Sequence, residues 1–224
     1  MKRSRRRLAT ILGLFAGSLF CIALVLARNV HTGNVNFRYL IWNLFLAWIP
    51  FALAVFVYDR WRRRRGGVVL VGLGALWLLF FPNAPYIATD FVHLQRDPLA
   101  PFWYDAVTIA SFAWMGLLLG FASLYLMQTV VKQWRGAVAG WLFAVVAIGL
   151  GSLGIYLGRF LRLNSWDALE HPSVLPRIAH AVARDPFAYQ EAIAVTVLFT
   201  LALSLAYFLL YSFATLGLEL DAER

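Results

Sequence analysis

The chain has 224 residues, of which 62% are hydrophobic and 14% charged, with a mean hydropathy of +0.71 and a formal net charge of +9. A soluble domain is about half apolar and about a quarter charged. This composition, with its apolar residues clustered, therefore excludes an ordinary soluble fold and points to an all-α membrane protein. The basic residues flank apolar runs, where they set topology and meet anionic lipid, so the charge is not read as a nucleic-acid footprint.

Six uncharged apolar segments follow in order: 8–27, 39–58, 66–81, 106–127, 137–158 and 192–216. A span takes about 17 to 25 residues. Five segments meet that length and the third is short, so the expectation is a six-helix transmembrane bundle forming one integral membrane domain over 1–224. The first follows "KRSRRR" and is longer than the apolar part of a signal peptide, so it is read as an uncleaved helix. Cys21 lies inside it as a small apolar-like residue.

Orientation follows from Lys and Arg. With the N-terminus inside, the inner segments hold Lys2, Arg3, Arg5, Arg6, Arg7, five arginines in 60–65, Lys132, Arg135 and Arg224. The outer loops hold Arg28, Arg38, Arg96, Arg159, Arg162, Arg177 and Arg184. The bias predicts a membrane protein with both termini cytoplasmic and anionic lipid at that face. In the last outer loop Val174, Leu175, Ile178 and Val182 recur at helical spacing between Pro172 and Pro186, which predicts a short amphipathic helix.

The third segment ends in "FPNAPYIATDFVHL", residues 81–94. A helix rising about 1.5 Å per residue from Arg65 brings Phe81 only about 24 Å across, so Pro82 and Pro85 fall within the outer leaflet. Each lacks an amide donor, which predicts a proline-broken third helix. Broken backbone at that depth is tolerated only inside protein or beside water. Beyond the break Tyr86, Asp90 and His93 share a helical face, and Asn83 sits at the break itself.

A second polar block, "YLGRFLRLNSWD" (156–167), ends the fifth span. Arg159 and Arg162 lie one turn apart, followed by Asn164 and Asp167, above a seam of Gly151, Gly154 and Gly158 that permits close packing. Arg38, Asn43 and Asp105 belong to the same outer level. Buried charges need partners, which predicts that Asp90 or Asp167 pairs with Arg159 or Arg162.

These blocks, "WNLFLAWIP", "FPNAPYIATDFVHL", "WYD" and "GRFLRLNSWD", resemble the bacterial multi-pass membrane family known as domain of unknown function 1361, over about residues 36–212. The resemblance implies a bacterial membrane protein and brings no activity or catalytic residue with it.

Three functions compete. The first is a structural or assembly role, in which the outer network fixes helix packing. The second is an enzyme acting on a lipid-linked or phosphorylated anionic substrate. Asp90 and His93 would be its base and orienter, or two metal ligands. Asn43, Asn83, Tyr86, Asp105, Arg159, Arg162, Asn164 and Asp167 would hold the substrate, in a pocket with His93 at the rim and the two arginines at the base. No third metal ligand, nucleophile motif or phosphate loop accompanies them, so no metal is assigned and the cofactor stays open. The third is a small transporter or channel, suggested by the broken helix. The oligomeric state is left open.

Overall fold

Runs of leucine, alanine, valine and phenylalanine, punctuated by glycine and by basic clusters, become long helices. The computed structural model describes residues 2–64, 67–170, 173, 176, 177, 180, 184 and 189–222. In chain order these form α1 (Lys2–Thr32), α2 (Arg38–Arg62), α3 (Val68–Phe80), α4 (Asn83–Tyr86), a 3-10 helix (Ile87–His93), α5 (Phe102–Arg135), α6 (Ala137–Phe160), α7 (Asp167–Glu170) and α8 (Gln190–Ala222). Among the described residues there is no strand, only an isolated bridge between Asp97 and Ala100. The amphipathic helix expected between Pro172 and Pro186 lies for the most part outside the described residues.

Six helical stretches are long and apolar enough to cross a membrane: Arg7–Thr32, Arg38–Arg62, Val68–His93, Phe102–Arg135, Ala137–Phe160 and Gln190–Leu216. The fourth, α5, is the central post and packs against α1, α2, α4, the 3-10 helix and α6. Its most apolar stretch is 61% buried, against 11% for the corresponding stretch of α8, which rests chiefly on α6. A hydrophobic cluster around Leu40, Leu44, Phe112 and Leu119 joins α1, α2 and α5. A second, around Trp77, Phe81, Leu124 and Ile148, joins α3, α5, α6 and α8.

The third span is longer than the 66–81 expected. The α-helix does lapse at Phe81 and Pro82, yet both keep right-handed helical dihedrals. Tyr86 N–H donates to the Pro82 carbonyl, and the chain tightens into the 3-10 helix without reversing. The prolines therefore change the pitch of one continuous rod.

That rod is gripped on two sides by glycines. On α6, a Cβ at Gly151 would meet the Phe81 ring at 2.9 Å, one at Gly154 would meet Pro82 at 2.5 Å, and one at Gly158 would meet Tyr86 at 3.2 Å. On α5, a Cβ at Gly116 would collide with the Ala84 carbonyl oxygen, and one at Gly120 would lie 3.1 Å from the Ala84 side chain. The expected glycine seam is thus the seat of the proline segment, because only bare backbone lets the rod come this near.

Candidate functional site

Two polar networks lie where the C-terminal ends of α1, the 3-10 helix and α6 meet the N-terminal ends of α2 and α5. The first is built on Arg159. Its Nη2 donates to Asp90 Oδ1 at 2.5 Å and to Thr89 Oγ1 at 2.6 Å, its Nε donates to Thr89 Oγ1 at 2.9 Å, and its Nη1 lies 2.9 Å from His93 Nε2. A guanidinium only donates, so His93 accepts at Nε2 and carries its proton on Nδ1. The guanidinium also lies 4.5 Å from the centre of the Tyr86 ring. Asn43 closes the other carboxylate oxygen, its Nδ2 donating to Asp90 Oδ2 at 2.9 Å. Asp90 is 1% exposed, whereas His93 is at the surface.

The local sequence explains the aim of these groups. Asp90 follows Tyr86 by four residues on the third span and Arg159 lies on α6, and the pair meets where Gly154 and Gly158 admit Pro82 and Tyr86. Thr89 serves as relay. Its hydroxyl donates to the Tyr86 carbonyl at 2.7 Å and accepts from Arg159.

The second network is built on Arg28. Its Nε and Nη2 grip the Asp105 carboxylate at 2.7 and 3.0 Å, its Nη2 also reaches Asp97 at 2.8 Å, and its Nη1 donates to Asn34 Oδ1 at 2.6 Å. The Arg28 and Asp105 side chains are each 2% exposed. Arg28 stacks 4.3 Å over Phe37. Phe37 meets Tyr39 edge-on, and Tyr39 meets His93 edge-on, so an aromatic bridge at the start of α2 connects the networks. The Tyr39 hydroxyl is buried without a hydrogen-bond partner among the described residues.

The ten sequence-predicted residues therefore divide. Asn43, Tyr86, Asp90, His93 and Arg159 converge. Asn83 sits beside them, its Nδ2 donating to the Phe80 carbonyl and to Ser165 Oγ, which in turn donates to the Leu79 carbonyl. Asp105 belongs with Arg28 and not with Arg159, because it enters α5 on the side facing α1. Asn164 and Asp167 bond each other, the Asp167 carboxylate accepting the Asn164 backbone N–H at 2.6 Å.

Arg162 departs most from expectation. α6 ends at Phe160, and Leu163 N–H turns back to the Leu157 carbonyl. That reversal holds Arg162 at φ 55°, left-handed, and carries it off the Arg159 face into the exposed surface. The expected base of two arginines is therefore a single arginine. Two surface concavities lie elsewhere, one beside Trp61, Arg62, Arg64 and Gln133 and one beside Ala137, Val138, Trp141, Leu142 and Val145. No group of three or more His, Cys, Asp or Glu residues is placed to hold a metal among the described residues.

Sequence reasoning missed Arg28, Asn34, Tyr39, Thr89, Asp97 and Ser165 as network members. Arg28 carried the one usable signal, as an arginine at the end of an apolar run, where a buried charge calls for a carboxylate partner.

The architecture defines an all-helical protein with six membrane-length helices and paired buried charges at one end of the bundle. The family model described as "Protein of unknown function (DUF1361)" matches residues 42–211, and the chain belongs to that family. No curated protein and no solved structure matches the chain.

Proposed function

We propose that the chain is a multi-pass protein of a bacterial plasma membrane, with both termini cytoplasmic and both networks extracytoplasmic, and that its role there is structural, as a scaffold or assembly component. One observation carries this reading. Asp90 is 1% exposed and both its oxygens are occupied by Arg159 and Asn43, so the most chemically suggestive carboxylate of the chain is spent on holding helices together. A general base needs reach to a substrate proton, and Asp90 offers none in this arrangement.

A second reading, an enzyme acting on an anionic lipid-linked substrate, draws on the exposed His93 beside Arg159 and on the unpartnered Tyr39 hydroxyl. His93→Ala separates the two. In a deletion strain the structural role expects this variant to accumulate normally and restore the phenotype in full. Loss of the phenotype at normal accumulation overturns that role in favour of a site. For orientation, a reporter enzyme active only outside the cell is expected to be silent when fused after Arg224 and active when fused after Arg96. The opposite pattern reverses the orientation.

A further inference from the structure

The opposite end of the bundle carries a hollow that the paired networks do not explain. It lies where α2 and α5 finish and is lined by Trp61, Arg62, Arg64 and Gln133. Arg64 adopts a left-handed φ of 53° immediately after the α2 cap, and its N–H turns back to the Trp61 carbonyl. That turn wraps the end of α2 around the hollow. The Trp61 indole N–H donates to Gln133 Oε1 at 3.1 Å, which fixes the amide with its NH2 group as a free donor.

The lining is thus two guanidiniums, an amide NH2 and an indole face, with no acceptor of negative charge among them. The nearest carboxylate is already committed. Asp59 is gripped by Arg7 through two hydrogen bonds of 2.6 and 2.7 Å. Arg62 and Arg64 are exposed and have no hydrogen-bond or ion-pair partner among the described residues, although the charge of Arg62, with that of Arg63, also acts on Asp59. Unpaired arginine forks beside a fixed amide donor suit a tetrahedral oxyanion, which accepts two parallel N–H bonds from each guanidinium. The indole beside them is the side chain that settles at the headgroup level of a bilayer.

We propose that this hollow binds the phosphate of an anionic phospholipid headgroup. The inference rests on the reading of the six long helices as membrane spans, since that reading puts the ends of α2 and α5 at headgroup depth. It is independent of whether the networks at the other end are structural or catalytic.

The test titrates the detergent-solubilised full chain into fluorescent phosphatidylglycerol, with fluorescent phosphatidylcholine as the neutral control, and reads anisotropy. The expected result is tighter binding of phosphatidylglycerol, weakened about tenfold by the double variant Arg62→Gln, Arg64→Gln. The double variant Lys132→Gln, Arg135→Gln removes the same charge from the same end and is expected to weaken binding less than about twofold. Gln133→Leu removes the amide donor without changing charge and is expected to weaken binding by a smaller factor than the arginine pair. Equal losses in the two double variants would mean a diffuse basic field and would overturn the site, as would no loss in the arginine pair. Full displacement of the lipid by inorganic phosphate would assign the hollow to a free anion and overturn the lipid. Arg62→Lys, Arg64→Lys guards against misfolding, because it keeps the charge and is expected to lose only the fork-dependent part of the affinity. Carbonate washing of membranes tests the underlying reading separately: a chain released by it does not span the bilayer.

Discussion

The two networks use the same chemistry, an arginine against a buried aspartate, and differ in how they are closed. Arg28 is sealed, its side chain and that of Asp105 each 2% exposed, with Asp97, Asn34 and the Phe37 ring completing its shell. Arg159 is 15% exposed and gives one of its nitrogens to a surface histidine. The sealed network ties α1 to α5 through side chains alone. The open one lies beside a close backbone contact, because the glycines of α6 admit Pro82 and Tyr86 next to the Asp90–Arg159 pair. The contrast teaches that a buried ion pair can be either the fastening itself or the consequence of packing already secured.

The largest expected effect comes from breaking the sealed pair. Asp105→Ala leaves the Arg28 guanidinium buried without its main partner, and such a loss costs about 3 to 5 kcal/mol. Folded, monodisperse yield after detergent extraction should fall steeply. A normal yield would show that Asp97 alone can neutralise Arg28.

Next is the seat of the open network. Gly154→Ala puts a Cβ 2.5 Å from the stiff Pro82 ring, and overpacking of this kind costs about 1 to 3 kcal/mol. A lowered thermal midpoint is expected, with the Asp90–Arg159 pair weakened alongside it. If instead Gly154→Ala is neutral while Arg159→Ala is severe, the ion pair and not the glycine seam fastens this side.

Arg159→Lys sharpens the comparison further. The ammonium keeps the attraction to Asp90 but cannot also reach Thr89 and His93 as a planar fork. A loss of about 1 kcal/mol in denaturant unfolding is expected, on the scale of a hydrogen bond or two. The equivalent Arg28→Lys should cost more, since three acceptors then lose a donor inside a sealed site.

The smallest effect is the acid limb. Asp97 lies outside the membrane-length helices, and the Leu99 N–H first, then Arg28, hold its carboxyl below the usual carboxylate range. A depressed folded pKa means stability that is fully present above the ordinary carboxylate value of about 4 and is lost as pH falls through the depressed value. The thermal midpoint should therefore decline below about pH 4, and Asp97→Asn should flatten that decline. An unchanged acid limb in the variant would remove Asp97 from the energetics of the Arg28 network.

Much of this was legible in the sequence. Six spans follow from composition alone, since nothing else buries such runs. The meeting of Asp90 with Arg159 follows from matched depth and the cost of an unpaired buried charge. The length of the third span was not legible, because a proline removes a hydrogen bond without dictating that the chain turn away, and Phe81 and Pro82 stay helical against two walls of glycine. Arg162 was misjudged for the opposite reason. Helical spacing places it beside Arg159 only if α6 continues, and the turn of Leu163 back to Leu157 ends it first. Arg28 looked like a flanking charge because its partner arrives from a distant part of the chain.

That distance has a consequence during synthesis. Asp90 leaves the ribosome 69 residues ahead of Arg159, and Arg28 leaves 77 residues ahead of Asp105. At about 5 to 20 residues per second, each waits on the order of several seconds for its opposite charge. The first aspartate has a companion in the meantime, since Asn43 precedes it by 47 residues and can greet its carboxylate on arrival. The nascent arginine has Asn34, six residues behind it, for the same interval. In each network the hydrogen-bond partner translated sooner is thus a neutral asparagine, and the counterion of the pair comes later.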